Sequence, residues 1–534
     1  MHRTWANANQ LGNKEMRRLR KLTLSNTGRQ HRPENKQTYE RPPPSTILPA
    51  RAPCHLCRRV ESVTSESKAN HDTSRSKQRK IPTMPPAVRA RRATAVTLPA
   101  DDGPLPAPGR RVPLSPFDVY WAALPPVRRV FLFAPPSPPV ALPDVVGALR
   151  SSLAAVLPSF HPFAGELVYE PGSRTVAIVV GEDAGVAFVE AETTELEFAR
   201  LAAEGAEHDV DALRQLVPDI RREELPAPVM AVQVTEFVGG GGGGVAVGVA
   251  LHHAAADGNG LWRFIETWSA AAASGSRVEQ RAEEAAPPFH DRRLVHFDGD
   301  EELARVFLRQ LVPELPRVVP RQDASPGHHP SLSRRTFTLA PSAVRRLKQQ
   351  LAGTTTAPST FAAVVAHGWV SIARASGFTD GAPVYACFLA DCRAHMTPPA
   401  PVPPAYVGNC VALCAVALSG ALLTGADGCA RACAAVREAV AEVKRDPLAD
   451  CSRWVTKFAE IPRGRAIVMA GSPWFPAYGV DFGFGTPVRA ELASMNHDGE
   501  MVLVAGREAG SVQASVALSA DKMPAFCQMF VVES

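Results

Sequence analysis

The residues best placed to do chemistry are His253 and Asp257, inside HHAAADG at 252–258. A neutral imidazole can take a proton from a hydroxyl near neutral pH as that oxygen attacks a carbonyl, and can pass it on to the leaving group. The HxxxD spacing carries little weight alone. With 15 histidines in the chain about one match is expected by chance, and His296 with Asp300 in HFDGD is a second. Context separates the two. His253 closes the apolar run VAVGVALHH and precedes an Ala/Gly turn and a helical pattern, LWRFIETWSAAAA. It is therefore expected at a strand end, facing a crevice. Ala254–Ala256 and Gly258 leave space beside the ring, and Asp257 falls near the helix start, where a carboxylate is favoured. His296 follows no strand and reads as part of an exposed loop. Taken alone, His253 and Asp257 also fit a core histidine and a helix cap, and that reading holds until a further motif is found. The sequence has no Gly-x-Ser-x-Gly elbow and no cysteine beside His253, so no covalent acyl-enzyme is required.

Elements that would position this pair can be read from periodicity. VMAVQVTEFV (229–238) and VAVGVALHH (245–253) are β-branched runs separated by six glycines, 239–244, and predict a hairpin. A phosphate-cradling loop would need a helix after the glycines, and a strand pattern follows instead. Further strands are expected at 127–133, 175–180, 186–190 and 384–391, and helices at 143–157, 300–311, 341–351, 358–375, 425–444, 449–459 and 520–530. The body is expected to begin near Thr94. Strands and helices interleave throughout, which makes the class mixed α/β.

Charge is distributed unevenly. Residues 1–83 hold 18 Lys and Arg against 6 Asp and Glu, leaving 40 and 47 of the chain's 58 and 53 for residues 84–534. A basic extension, expected to be disordered, thus precedes a mildly acidic body. The extension has no apolar h-region and is not a secretory signal; its Arg content leaves a transit peptide open, and Met84 is a simpler natural start. No eighteen-residue apolar run occurs, so no membrane span is expected. Of ten cysteines, Cys54 and Cys57 form a lone CxxC without the second pair a zinc site needs. The other eight read as reduced thiols of a cytoplasmic protein. At 534 residues two domains are expected: 84–275 and 331–534, joined by a polar crossover at 276–330.

HHAAADG together with DFGFG (481–485) resembles the plant coenzyme A-dependent BAHD acyltransferases, whose pattern is HxxxDG midway and DFGWG near the C-terminus. YVGNC (406–410) resembles the YFGNC element of the anthocyanin and flavonoid glycoside branch. LSPFDVYW (114–121), HPFAGEL (161–167), STFAAVVA (359–366) and ADCRAHM (390–396) follow in the family's order, so the resemblance spans about 94–534. It implies an α/β fold of two similar-sized mixed-sheet domains, chloramphenicol acetyltransferase-like, with a channel at their interface. It also implies His253 as general base, and Asp257 as a residue that orients the site through an arginine. Asp481 would pair with a buried arginine, for which Arg393 is the candidate, because a buried carboxylate is costly unpaired. Phe482, Gly483, Phe484 and Gly485 would shape the coenzyme side, with Gly258 at the turn. Tyr406, Asn409 and Thr360, within matching stretches, are candidate substrate or coenzyme contacts. The chain departs from the pattern at Phe484, which replaces Trp and loses an N–H donor, and at Val407, which replaces Phe.

The implied function is O-acylation of a phenolic or flavonoid glycoside by malonyl- or hydroxycinnamoyl-CoA in a ternary complex. The coenzyme thioester and a small hydroxyl acceptor are the partners, with no permanent cofactor, no metal, no nucleic acid, no membrane and a monomeric state. Alternatives are a hydroxycinnamoyl transferase for another alcohol or amine, an impaired family member, or a condensation domain, which shares HHxxxDG but expects carrier domains beside it. A binding protein using the basic extension would need aromatic interleaving or a complete finger, and neither is present.

Overall fold

Strand order is what delivers His253 to a crevice. In the computed structural model residues 87–98, 110–136, 140–239, 243–274, 286–318, 331–352, 357–396, 401–495 and 497–531 are described. The basic extension at 1–83 lies outside the described residues, as do 275–285 and 319–330, where the two ends of the expected crossover fall. The strands are β1 (Val88–Thr97), β2 (Arg110–Pro113), β3 (Val127–Phe133), β4 (Glu166–Glu170), β5 (Thr175–Val180), β6 (Gly185–Thr193), β7 (Ala227–Pro228) and β8 (Met230–Phe237). They continue with β9 (Val245–Leu251), β10 (Leu332–Leu339), β11 (Pro383–Asp391), β12 (Val411–Ser419), β13 (Ala466–Gly471), β14 (Arg489–Leu492), β15 (Glu500–Ala505) and β16 (Val512–Ser519). One six-stranded sheet has the order β1-β6-β8-β9-β3-β14 and a second the order β10-β16-β15-β13-β11-β12; β2-β5-β4-β7 form a small third. Both six-stranded sheets mix parallel and antiparallel pairs.

The longer helices are α1 (Leu142–Val156), α2 (Gly258–Ser274), α3 (Asp300–Leu311), α4 (Pro341–Gln350), α5 (Thr360–Ala375), α6 (Gly428–Arg445) and α7 (Met523–Phe530). The predicted β8–β9 hairpin is present, antiparallel with Met230 opposite Leu251. β9 is buried along its whole length between α2 on one face and the 210–220 region on the other. Two expectations change. The body begins at Val88 rather than near Thr94, because the Arg/Ala-rich stretch 88–97 pairs with β6 as an edge strand that is largely exposed and so lacks an apolar alternation. β14, from the last fifth of the chain, joins the first sheet at its β3 edge, with Ala490 opposite Phe131. Among the described residues no helix is long and apolar enough to cross a membrane.

Candidate active site

β9 ends at Leu251, and the chain turns through 252–257 into α2. Three buried side chains from outside this turn hold it, two by its backbone carbonyls and one by the Asp257 carboxylate. Asn409 Nδ2 donates to the His253 carbonyl (3.0 Å). Arg292 Nη2 donates to the Ala255 carbonyl (2.7 Å). Arg393 Nη2 pairs with the Asp257 carboxylate at 2.9 Å. Asp257 also accepts the backbone N–H of Gly260 (3.1 Å) at the start of α2 and of Cys410 (3.1 Å) from the second half. Its charge is thus consumed by structure, as a buried carboxylate requires.

Arg393 sits in a short 3₁₀ turn after β11 and donates further to the Tyr406 and Gly408 carbonyls and to Asp391. Burial works against its charge, but Asp257 and Asp391 outweigh it and raise its pKa. The expected Arg393–Asp481 pair does not form. Asp481 is only partly buried, and its Oδ1 accepts the backbone N–H groups of Gly483 (2.8 Å) and Gly485 (3.0 Å) in its own loop. Both glycines have positive φ, 95° and 104°, which the loop needs to turn those N–H groups inward.

A second ion pair was not anticipated. Asp118, fully buried in LSPFDVYW, accepts Arg292 Nε (3.1 Å), the Ser115 hydroxyl (2.7 Å), and both the backbone N–H (3.1 Å) and Nδ2 (2.9 Å) of Asn409. The S-x-x-D spacing of Ser115 and Asp118 is a capping box on the four-residue helix Pro116–Val119, and that local signal could have drawn attention to it. The ring of buried Tyr406 lies 5.6 Å from the Arg292 guanidinium and 5.7 Å from that of Arg393, spacing the two cations. At Gly408 an added Cβ would stand 2.1 Å from the Tyr406 hydroxyl, which explains the glycine of YVGNC.

The His253 ring stacks on Trp121, with centroids 3.9 Å apart and planes at 12°. Its Nδ1 is buried and makes no hydrogen bond of good geometry, while the residue as a whole stays partly exposed. Burial lowers the imidazole pKa, against the opposing pull of its own carbonyl, Asp257, Asn409 and Asp118. The ring is therefore neutral at physiological pH. His252, by contrast, is buried, accepts the Ala254 N–H on Nδ1 and is pushed down to about 3 by burial. Trp121 also lines a narrow apolar crevice with Phe117, Tyr120, Leu389, Val411, Leu413 and Trp454.

The remaining sequence-predicted residues are placed apart from this turn. Phe482 packs on Trp268 (4.7 Å) and Phe133 (5.9 Å), Phe484 meets Phe133 edge-on (4.9 Å), and Gly483 backs onto Ala273. DFGFG thus braces the far end of α2, about 22 Å along the helix from Gly258 at ~1.5 Å per residue. Thr360 opens α5 on the second sheet, and no hydrogen bond or ring contact joins it to 252–258 among the described residues. His296 bonds Asp300 through Nδ1 (2.8 Å) and is largely exposed at the start of α3, as the loop reading expects. Gly258 abuts Phe475, whose ring an added Cβ would meet at 2.7 Å.

Comparison with known proteins settles the family. The model of the Transferase family matches residues 96–532. The chain belongs to that family, the BAHD-type acyltransferases its motifs resemble, and it is an acyltransferase. It is 27% identical over 435 residues to phenolic glucoside malonyltransferase 1 of Arabidopsis thaliana, covering 77% of this chain and 90% of that protein. It is equally 27% identical to coumaroyl-CoA:anthocyanidin 3-O-glucoside-6''-O-coumaroyltransferase 2 of Arabidopsis thaliana, covering 78% of this chain and 91% of that one. The crystal structure of vinorine synthase superposes with a TM-score of 0.62 at 19% identity, over 82% of this chain and 96% of that one, so this acyltransferase shares its fold.

Proposed function

We propose that this acyltransferase moves an acyl group from coenzyme A to a hydroxyl of a phenolic or flavonoid glycoside, with His253 as general base. The reading rests on one observation above the others: a partly exposed neutral imidazole at the end of β9 whose supporting turn is fixed by Asn409, Arg292 and Arg393. Nε2, the ring nitrogen opposite the buried Nδ1, takes the acceptor proton as the hydroxyl oxygen attacks the thioester carbonyl. The tetrahedral intermediate then collapses, the C–S bond breaks, and the imidazolium returns the proton to the departing thiolate. Both substrates are bound together, and no acyl-enzyme forms. Asp257 takes no proton; with Arg393 it positions the turn, as Asp118, Arg292 and Asn409 do from the other side. DFGFG acts at one remove, by seating α2.

The named activities of the two relatives, a phenolic glucoside malonyltransferase and an anthocyanidin glucoside coumaroyltransferase, support a sugar hydroxyl as acceptor. Incubation of the protein with an anthocyanidin 3-O-glucoside and either p-coumaroyl-CoA or malonyl-CoA, read by mass spectrometry, tests this. His253→Ala is expected to lower kcat by about 10²–10⁴ with an unchanged thermal midpoint. Undiminished turnover in that variant would overturn the reading.

A further inference from the structure

Trp474 is 76% exposed, the most open large apolar side chain among the described residues. Its indole makes no ring contact, cation contact or hydrogen bond there. A bulky apolar ring left in water is unfavourable, and tryptophan is enriched where an apolar face meets a partner. The loop that carries it is firmly held. Gly471 ends β13 at φ 76°, where an added Cβ would stand 2.1 Å from the Leu503 carbonyl. Ser472 donates its N–H to Leu503 O (3.0 Å) and caps the turn: its Oγ accepts the Trp474 N–H (3.2 Å) and its carbonyl the Phe475 N–H (3.1 Å). Ala505 donates to the Phe475 carbonyl (2.9 Å), and Pro473 and Pro476 bracket the pair.

Phe475 faces inward. Its ring stacks on Trp262 of α2 (5.8 Å, 30°) and abuts Gly258, five residues after His253. One ring of the pair is packed against the first turn of the helix that follows the base, and its neighbour is presented to solvent beside that turn.

We propose that Trp474 is a stacking platform for the aromatic aglycone of the acceptor. The inference rests on the glycoside-acceptor reading above. In such an acceptor the ring system stands one sugar away from the reacting hydroxyl, and Trp474 is the exposed ring next in sequence to Phe475, which touches Gly258 at the start of the helix that follows the base. The adenine of coenzyme A, separated from the thioester by the whole pantetheine arm, is the competing occupant that steady-state kinetics distinguish. An indole face suits a flat polyphenol, and a cationic flavylium more so, because the ring quadrupole attracts positive charge.

Steady-state kinetics of the full chain and of Trp474→Ala and Trp474→Phe test the proposal. The acceptors are cyanidin 3-O-glucoside and methyl glucoside, each with the better acyl-CoA. Trp474→Ala is expected to raise the KM for cyanidin 3-O-glucoside by about three- to tenfold, the worth of one stacked aromatic pair. The kcat, the acyl-CoA KM and the methyl glucoside kinetics should stay within about twofold, and Trp474→Phe should recover most of the loss. A rise in the acyl-CoA KM instead would assign the ring to the coenzyme and overturn the proposal, as would unchanged constants or a loss shared by both acceptors. Should the wild type acylate no glycoside at all, the proposed function falls. The stacking surface is then judged by titrating cyanidin 3-O-glucoside against indole fluorescence, where equal quenching in wild type and Trp474→Phe rejects it.

Discussion

His253 must be buried enough to be held and open enough to be used, and of the two demands it is burial that sets the direction of its proton affinity. Burial disfavours the imidazolium, and the nearby acceptors recover only part of the loss, so its pKa falls below the ordinary 6.5. A base is active when deprotonated. The acidic limb of kcat/KM against pH should therefore lie below pH 6.5, with a plateau through pH 7; a limb at or above 6.5 would show that the ring is not the titrating base. Asp257 and Asp481 sit in the two signature motifs but carry different loads. Asp257 neutralises a buried guanidinium, and Asp257→Ala leaves Arg393 without its closest counter-charge. That change is expected to cost about 3–5 kcal/mol of unfolding free energy. Asp481 caps two N–H groups in a partly exposed loop, and Asp481→Ala is expected to cost about 1 kcal/mol. Denaturant unfolding of the two variants side by side checks the order, and equal losses would contradict the assignment of Arg393 to Asp257.

Elements with strong periodicity were legible. The predicted α3 and β3 bounds, 300–311 and 127–133, coincide with those observed, and the β8–β9 hairpin follows from two β-branched runs flanking glycines. The turn at 252–257 was legible too, because a strand that runs out of apolar residues at a histidine, followed by small residues and a carboxylate, has few other ways to continue. What the sequence hid were side-chain partnerships between distant segments. Nothing local marks Arg292 as the partner of Asp118, 174 positions away, or Arg393 as the partner of Asp257 rather than Asp481. Arginines reach several carboxylates with similar ease, and only the packing of Tyr406 between Arg292 and Arg393 fixes which guanidinium lies where. β1 was hidden for the opposite reason. An exposed edge strand rich in arginine, salt-bridged to Glu192 on its neighbour β6, carries no apolar alternation to detect.

At the scale of the molecule the two large sheets are joined through β14, whose backbone extends the first sheet while its Glu491 side chain and two of its carbonyls bond to the second. Glu491 on β14 is buried and accepts the hydroxyls of Thr336 on β10 (2.8 Å) and Ser515 on β16 (2.7 Å). Arg334 on β10 donates to the Leu492 carbonyl, and Gln513 on β16 to that of Ala490 (2.9 Å). Three buried arginines, 129, 334 and 489, surround this one carboxylate, and His208 beside it is pushed down to about 4, chiefly by burial, and stays neutral. Burial alone would raise the Glu491 pKa, yet Arg489 and Arg334, with the Ser515 hydroxyl, hold it below the ordinary 4.5. The carboxylate is therefore the electrostatic keystone of the seam. Glu491→Gln keeps an acceptor for the hydroxyls but leaves the arginines without their charge, at an expected cost of about 3–5 kcal/mol. Because the folded-state pKa is depressed, that stabilisation is complete above the unfolded value of 4.5 and is lost as pH falls through the folded value. The gap in denaturation midpoint between wild type and Glu491→Gln should therefore be constant from about pH 5.5 to 8 and close below pH 4.5; a gap that persists in acid would mean that shape, and not charge, holds the two sheets together.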